Sequence, residues 1–257
     1  MQINQPPASP PAISAGGVVS ASAFGGFTSV SPGSWIEIYG SNLASDARSW
    51  AGRDFNGTNA PTSLDGTSVS IGGQAAFIDY ISSGQVNALV PSNVSLGSQQ
   101  ITITNAQGSS AAFNVTVNSA EPGLLGPSSF NIGGVQYAVG ILSDGSYALP
   151  GGAISGVASR PAKPGDVLTL YGVGFGPVRP ASPAGQLVQQ LNSLSLPPLM
   201  SIGGIPVSPS YAELAPNYTG LYQFNVTVPS LPSGNATLTF SLGGTAGTQK
   251  LFIAVGN

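Results

Sequence analysis

The residues of this chain that could do chemistry are mostly aromatic or acidic, because the sequence contains no His and no Cys. Their absence excludes Ser-His-Asp triads, Cys nucleophiles, disulfides and the usual structural zinc sites. The nine Asp and Glu residues are spread along the chain. A glycosidase-like pair across neighbouring strands, for instance Glu37 with Asp79, stays open, but no spacing selects it. We therefore predict that the protein is not an enzyme and needs no cofactor.

Four aromatic residues in polar loops are the candidates for ligand binding. Trp50 and Phe55 lie in one long loop, and Tyr211 and Tyr218 flank Ala215-Pro216. Exposed rings on the loops of a β-sandwich can stack on sugars, because a flat apolar face meets the apolar C–H edges of the sugar ring. The alternative is that these rings cap the ends of a sandwich or fill a domain interface. A polysaccharide is therefore one candidate partner.

Acidic turns are a weaker candidate, for calcium. They are the loop with Asp54, Asn56 and Asn59 and the turns Asp65-Gly66-Thr67 and Asp144-Gly145-Ser146. Calcium takes six to eight oxygen ligands, often from several carboxylates, whereas each of these loops offers one. Asp-Gly is also common hairpin chemistry. We predict no metal site.

Charge is scarce throughout the chain. Only 6% of the residues are charged, where a soluble protein usually has about 25%. The six Lys and Arg residues are scattered, so neither nucleic-acid binding nor a polybasic membrane patch is expected. Because 41% of the residues are hydrophobic, the chain is not of the disordered, highly charged kind. Little like-charge repulsion opposes homotypic contacts or contacts with other surface proteins.

The elements that must position these residues are β-strands. Short runs such as Gln100–Thr104 and Phe113–Val117 alternate apolar and polar residues, and Gly, Pro, Asn, Asp or Ser close each run. In Pro32–Gly40, Ile36 and Ile38 occupy the core face, whereas the opposite face is half-exposed. The only candidate for a helical turn is Ala184–Leu194. We expect antiparallel β-sandwiches.

An internal repeat divides the chain in two. Four segments recur in the same order: Pro32–Gly40 as Pro164–Gly172, Ile71–Gly73 as Ile202–Gly204, Gln85–Pro91 as Gln223–Pro229, and Ala111–Val117 as Gln249–Val255. Leu168 and Leu170 then match Ile36 and Ile38 as core residues. We predict a Pro-rich extended tether over 1–17, one sandwich over 18–120 and a second over 121–257, in which 121–160 form a connecting hairpin and loop.

The repeated strand and turn resemble the opening of IPT/TIG-type immunoglobulin-like domains, through the pattern Pro-Gly-x-x-aliphatic-x-aliphatic-Tyr-Gly. The whole chain resembles the Solibacter-type C-terminal domain found in secreted acidobacterial proteins. The segments that carry this resemblance are Gly17–Phe24, Tyr80–Pro91, Ser143–Ser146 with Pro164–Pro177, and Leu214–Pro229. The resemblance implies tandem immunoglobulin-like sandwiches and a secreted or surface location, and it carries over no catalytic residue.

The function expected from these features is that of a structural or adhesive module at the cell surface, as a subunit of an assembly or filament. A carbohydrate-binding accessory module is the alternative. Neither a basic segment nor an apolar one follows Met1, and we expect the numbered sequence to begin after a signal peptide.

The segment that contains Ile13, Val18 and Val19 is a candidate arm between subunits. It can extend as a strand and satisfy the open sheet edge of a neighbouring copy. The alternatives are a flexible leader, or a first strand folded back on its own domain.

Overall fold

The computed structural model describes residues 9–21 and 27–256. Strands account for 47% of the structure and helices for 2%, so the predicted all-β fold is confirmed. The helices of the described residues are two short 3-10 turns, Gly52–Asp54 and Ser128–Phe130. The helical turn predicted at Ala184–Leu194 is wrong, because backbone groups of this segment bond to other loops: Leu187 N–H donates to the Thr58 carbonyl and Val188 N–H to the Tyr218 carbonyl. In the described part, no helix has the length and apolar character needed to cross a membrane.

The first half of the chain folds into two facing sheets. Its strands are β1 (Ala12–Ser20), β2 (Ser29–Val30), β3 (Trp35–Ser41), β4 (Arg48–Ser49), β5 (Ser63–Leu64), β6 (Thr67–Ile71), β7 (Gln74–Ala75), β8 (Phe77–Ile81), β9 (Gln85–Leu89), β10 (Gly97–Asn105), β11 (Gly108–Ser109) and β12 (Phe113–Val117). One sheet has the order β1-β3-β9-β8-β4 and the other β2-β12-β10-β6-β5, with β7 and β11 attached to β6 and β10. All pairs are antiparallel except β2 with β12.

The second half folds in a related way. Its strands are β13 (Gly123–Leu124), β14 (Asn131–Ile132), β15 (Val135–Gln136), β16 (Gly140–Leu142), β17 (Val167–Val173), β18 (Val178–Arg179), β19 (Ser193–Leu194), β20 (Leu199–Ile202), β21 (Ile205–Val207), β22 (Tyr211–Leu214), β23 (Tyr222–Thr227), β24 (Gly234–Leu242), β25 (Thr245–Ala246) and β26 (Leu251–Val255). One main sheet has the order β13-β17-β23-β22 with β16 on β17, and the other β21-β20-β24-β25 with β26 on β24.

Two hydrophobic cores lie between these sheets. One is built from residues between Val18 and Val117, and the other from residues between Leu124 and Val255. Ile36 and Ile38, and likewise Leu168 and Leu170, are completely buried, as the period-2 pattern predicts. We refer to these parts as the first and second domains.

The repeated motifs occupy equivalent strands. β3 pairs with β9 in the first domain, and β17 pairs with β23 in the second. On the face away from the core, the Gln85 side chain donates a 2.8 Å hydrogen bond to Asn87, and Gln223 donates a 3.0 Å bond to Asn225. The repeat therefore extends from the sequence motif to the side-chain hydrogen bonds of the outer face.

The segment after β13 packs as a small cluster on the second domain. Phe130, Tyr137 and Leu149 are buried together with Ala254 of β26. The Tyr137 hydroxyl donates a 2.6 Å hydrogen bond to the Asn235 side chain. Much of the predicted connecting region 121–160 is thus folded against the second domain.

The predicted tether requires a correction. Residues 1–8 lie outside the described residues, but residues 12–17 belong to β1, which pairs with β3 of the same domain. Val18 and Val19 are buried in this domain, and Ile13 packs against its core. The alternative of a first strand folded back on its own domain therefore describes these residues, and the arm between subunits does not. The physical reason is that β1 and β3 belong to one chain and are close in sequence, so the effective concentration of β1 at this edge exceeds that of a strand from another copy.

A candidate ligand-binding cleft between the two domains

The two domains meet through loops of the second domain that contact the first. Backbone hydrogen bonds run from Ala60 N–H to the Gly185 carbonyl at 2.7 Å and from Leu187 N–H to the Thr58 carbonyl at 2.9 Å. Gly185 lies against the ring of Phe77, which leaves no room for a Cβ atom. These contacts hold the outer face of the β3-β9-β8 sheet against the second domain.

A cleft of about 490 Å³ remains open in this interface. The first domain lines it with Trp35, Trp50, Phe55, Asp79 and Asn87, among others. The opposite wall is mainly apolar and belongs to the second domain, with Leu125, Val173, Leu187, Tyr218 and Leu221. Its volume lies within the usual range of small-molecule sites, about 300–1,000 Å³.

Three aromatic rings of the first domain form a continuous wall. Trp35 meets Trp50 edge to face with 5.6 Å between ring centroids, and Trp50 meets Phe55 at 4.8 Å. Such tilted contacts are the preferred arrangement of aromatic pairs. All three residues keep part of their surface exposed, so the wall is available to a ligand.

Arg48 fixes the loop that carries this wall. Its guanidinium donates hydrogen bonds to both carboxylate oxygens of Asp54, at 2.8 and 3.1 Å, and to both of Asp65, at 2.8 and 2.6 Å. Asp54 also accepts a 2.6 Å bond from Ala51 N–H. The hydrogen bonds from Arg48 lower the pKa values of both aspartates. Trp50 and Phe55 are therefore held in place by an ion-pair network beside them.

Tyr218 reaches the cleft from a loop of the second domain. Asn217 takes a left-handed conformation with φ 64°, which Asn tolerates better than most residues. The loop is fixed to Val188, whose N–H donates to the Tyr218 carbonyl at 2.9 Å. The side chain of Tyr218 is 57% exposed, so its ring is free to meet a ligand.

Asp79 is the carboxylate of the cleft. A β-bulge interrupts the pairing of β8 with β9 between Ile78 and Tyr80, and bulges of this kind redirect a side chain. Desolvation, with a smaller contribution from the charge of Glu37, raises the pKa of Asp79 to about 6, although a hydrogen bond from Asn87 opposes the shift. Oδ1 of Asp79 is buried without a hydrogen-bond partner. Asp79 therefore brings a desolvated carboxyl to the cleft, and one oxygen of this carboxyl has no partner in the protein.

Glu37 belongs to the polar surface next to the cleft. The Tyr39 hydroxyl donates a 2.5 Å hydrogen bond to its carboxylate. Desolvation, this bond and the charge of Glu37 raise the pKa of Tyr39 to about 12. Of the pair Glu37 and Asp79, only Asp79 lines the cleft.

The structure brings together three of the four aromatic residues predicted from the sequence. Trp50, Phe55 and Tyr218 line one cleft, although Tyr218 is far from the other two in the chain. Tyr211 lies outside it, on β22, where it is opposite Asn225. Both interpretations of these aromatics apply here, because the rings line a domain interface and also an opening within it.

Sequence reasoning missed Trp35, Asp79 and Asn87 as cleft residues. The available signal was strand alternation, which assigns Trp35 to the half-exposed face of β3. Asp79 gave a weaker signal, because a bulge cannot be located from alternation alone. Strand alternation does not predict that the second domain lies close to these residues.

The acidic turns considered for calcium bind arginines in the described structure. Asp54 and Asp65 bind Arg48, and Asp144 binds Arg160 at 2.7 Å. Arg160 also binds Asp166 at 2.7 Å, so each domain contains one arginine between two aspartates.

A second groove of about 460 Å³ follows the same interface, on the other side of Thr219. Its lining is mainly Pro, Gly, Ala and Ser, with Leu96 and Tyr222. The hydroxyl of Tyr222 donates to the Gly176 carbonyl. The groove therefore has shape but offers few polar groups to orient a ligand.

The fold is that of an all-β protein with two sandwich domains, and comparison with known proteins gives the class of this fold. The family model of the IPT/TIG domain matches residues 26–132. The chain accordingly has the immunoglobulin-like antiparallel β-sandwich fold predicted from the sequence. No curated protein sequence matches the chain.

Several solved structures align with most of the chain at low similarity. A surface glycan-binding protein of Bacteroides ovatus, SGBP-B of the mixed-linkage glucan utilization locus, shares 18% identity over 89% of this chain, with a TM-score of 0.38. Domains 5-6 of the S-layer protein SbsC share 15% identity over 96% of this chain and all of theirs, with a TM-score of 0.32. The adhesin InvE of Yersinia pseudotuberculosis shares 9% over 89% of this chain and 57% of its own, with a TM-score of 0.23. The chain spans 44% of the Bacteroides ovatus protein. At these values the alignments identify no function.

Proposed function

We propose that this protein is a non-catalytic extracellular module that binds a polysaccharide chain in the cleft between its two domains. The observation that carries the proposal is the convergence of Trp35, Trp50, Phe55 and Tyr218 around a single opening that also contains Asp79. Residues from both domains are needed to complete this opening. Of the two roles expected from the sequence, the geometry therefore favours the carbohydrate-binding module over the structural or adhesive one.

The chemistry of the cleft suits a sugar chain. Aromatic faces bind the C–H surfaces of pyranose rings, and a few polar groups orient the hydroxyls. The Asp79 carboxylate lines the cleft and can accept hydrogen bonds from sugar hydroxyls, and Asn217 adds an exposed amide at the rim. The rings are fixed before a ligand arrives, which lowers the entropy lost on binding.

A binding role without catalysis is favoured by the number of carboxylates. Glycoside hydrolysis generally uses two, one on each side of the scissile bond. Among the described residues that line the cleft, Asp79 alone is acidic. Glu37 is engaged by the Tyr39 hydroxyl on the adjacent surface.

The proposal is tested by calorimetric titration with a panel of soluble polysaccharides and oligosaccharides. Tyr218→Ala should weaken binding about tenfold, which corresponds to about 1.4 kcal/mol. Tyr211→Ala is the matched control, because it removes a tyrosine of the same domain outside the cleft. Circular dichroism should show both variants folded. Absence of binding to every member of the panel, or equal losses in the two variants, would refute the proposal.

A structural role at the cell surface is the second candidate, and different residues favour it. Leu191, Leu196 and Leu199 of the second domain are 79%, 50% and 76% exposed. Exposed apolar side chains on a weakly charged protein favour contacts with copies of itself or with other surface proteins. Sedimentation velocity would test this role: a concentration-dependent shift that disappears in Leu191→Ser with Leu199→Ser supports it, and a constant monomer contradicts it.

The proposal also includes the family and the cellular location that were expected from the sequence. Membership of the Solibacter-type family rests on the motifs named above, from Tyr80–Pro91 to Leu214–Pro229. The extracellular location rests on the same resemblance and on the low charge of the chain. Cell fractionation of the source organism, with an antibody against this protein, would test the location.

A further inference from the structure

The carboxyl of Asp79 is unusual among the acidic groups of the described structure because one of its oxygens is a buried polar atom without a partner. Oδ1 is buried and has no hydrogen-bond partner. Most buried polar atoms in proteins are hydrogen-bonded, and an exception calls for an explanation, such as an absent ion or ligand. The neighbouring charge that acts on this carboxyl is negative, from Glu37.

Two arginines of the described structure are held in ion pairs away from Asp79. Arg48 binds Asp54 and Asp65, and Arg160 binds its two aspartates in the second domain. Among the described residues that line the cleft, none is Lys or Arg. The lining of the cleft therefore has one acidic side chain and no basic one.

The aromatic walls also favour a cation. The face of a Trp, Tyr or Phe ring attracts an ammonium group within about 6 Å of its centroid, with Trp the strongest of the three. Trp35, Trp50, Phe55 and Tyr218 surround the same opening as Asp79. A neutral sugar would use only the apolar surface of these rings, whereas a cationic sugar would also use their negative faces.

We propose that the ligand of the cleft is a glycan that carries free, protonated amino groups, with one ammonium group paired with the carboxylate of Asp79. This inference rests on the proposed function and names the class of its substrate. An N-acetylated sugar lacks the positive charge, and a uronic acid carries the opposite charge. The cleft should therefore bind the amino sugar more tightly than the N-acetylated sugar, and it should not bind the uronic acid.

The test compares oligosaccharides that share a backbone and differ in charge. Glucosamine oligomers, the fully N-acetylated oligomers of the same length, cello-oligomers and oligogalacturonate are titrated into the whole protein at about pH 6.5, where both partners carry charge. We expect the glucosamine oligomer to bind at least tenfold more tightly than its acetylated counterpart, with no detectable binding of oligogalacturonate. Added salt should reduce this preference, because it screens the charge interaction.

Two variants assign the preference to the carboxylate. Asp79→Asn should lose most of the preference for the glucosamine oligomer, because only the weaker attraction of the aromatic faces remains. Asp46→Asn removes one negative charge from an exposed position outside the cleft and should keep the tenfold preference. If the acetylated or neutral oligomers bind as tightly as the amine to the unchanged protein, this inference fails while the proposed function stands. If no oligosaccharide binds, both fail.

Discussion

The indole N–H of Trp35 donates a 2.8 Å hydrogen bond to the backbone carbonyl of Thr219, and this bond joins the two domains. Trp35 is also one wall of the cleft, and Thr219 follows Tyr218, which forms part of the other wall. One side chain thus contributes to domain packing and to the candidate binding surface. Changes at this position should affect stability and ligand binding together.

Trp35→Phe tests the hydrogen bond while it retains an aromatic ring. Thr219 is buried, so the variant leaves its carbonyl without the indole donor. We expect the free energy of unfolding to fall by about 1–3 kcal/mol in urea denaturation, the usual penalty for a buried polar group left unsatisfied. Trp50→Phe is the control, because Trp50 contacts Trp35 and Phe55 through its ring. A loss at Trp50 as large as that at Trp35 would show that ring size, and not the hydrogen bond, matters.

Gly185→Ala tests the close approach of the two domains. Gly185 has φ 82°, and a Cβ atom at this position would overlap the Phe77 ring. Gly244 has the same φ with open space around it, so Gly244→Ala measures the backbone strain alone, about 1–2 kcal/mol. We expect Gly185→Ala to lose about 1–3 kcal/mol more, through overpacking. Equal melting temperatures for the two variants would show that the domain interface accommodates the added methyl group without a loss of stability.

Asp79→Asn should stabilise the protein at neutral pH. The pKa of Asp79 is raised from 3.8 to about 6, so the folded state binds more protons than the unfolded state between these values. The free energy of unfolding therefore falls as pH rises from about 4 to about 6. The asparagine variant does not show this fall, because its side chain does not ionise. We expect a gain of about 1–3 kcal/mol at pH 7 in urea denaturation, and none at about pH 3.5. A variant less stable than the parent at pH 7 would show that the carboxylate supports the fold.

Leu168→Ala tests the core of the second domain. Leu168 is completely buried on β17, and its neighbour Val167 is 43% exposed on the opposite face. The deletion should lower the free energy of unfolding by about 2–5 kcal/mol, because it removes apolar contacts and leaves a cavity. Val167→Ala on the same strand should change it by less than about 0.5 kcal/mol. Similar losses at both positions would contradict the assignment of the two faces.

Strand alternation predicted the fold because each side chain on a strand has one of two faces. This is why Ile36 and Leu168 could be assigned to cores, and why Trp35 could be assigned to the half-exposed face. The cleft required long-range information: how loop 183–188 pairs with loop 58–60 depends on backbone hydrogen bonds that have no sequence signature. The position of β1 was underdetermined for a similar reason, since an extended segment can satisfy the edge of its own sheet or of a neighbour's.

Arg48→Met tests whether the ion-pair network positions the aromatic wall. The variant keeps much of the apolar length of the side chain and removes its hydrogen bonds to Asp54 and Asp65. Because Arg48 lowers the pKa values of these aspartates, its stabilisation is present above their unfolded pKa near 3.8 and is lost as pH falls below that value. We expect a lower melting temperature at pH 7, a smaller difference from the parent in acid, and weaker glycan binding.

Arg160→Met is the matched control, because Arg160 holds two aspartates in the second domain, and none of these three residues lines the cleft. Both substitutions should lower the melting temperature modestly, since pairs at the surface contribute little. Only Arg48→Met should weaken glycan binding in calorimetric titration, because only Arg48 lies beside Trp50 and contacts the loop that leads to Phe55. Equal binding by the two variants would show that the wall of Trp35, Trp50 and Phe55 is held by ring packing alone.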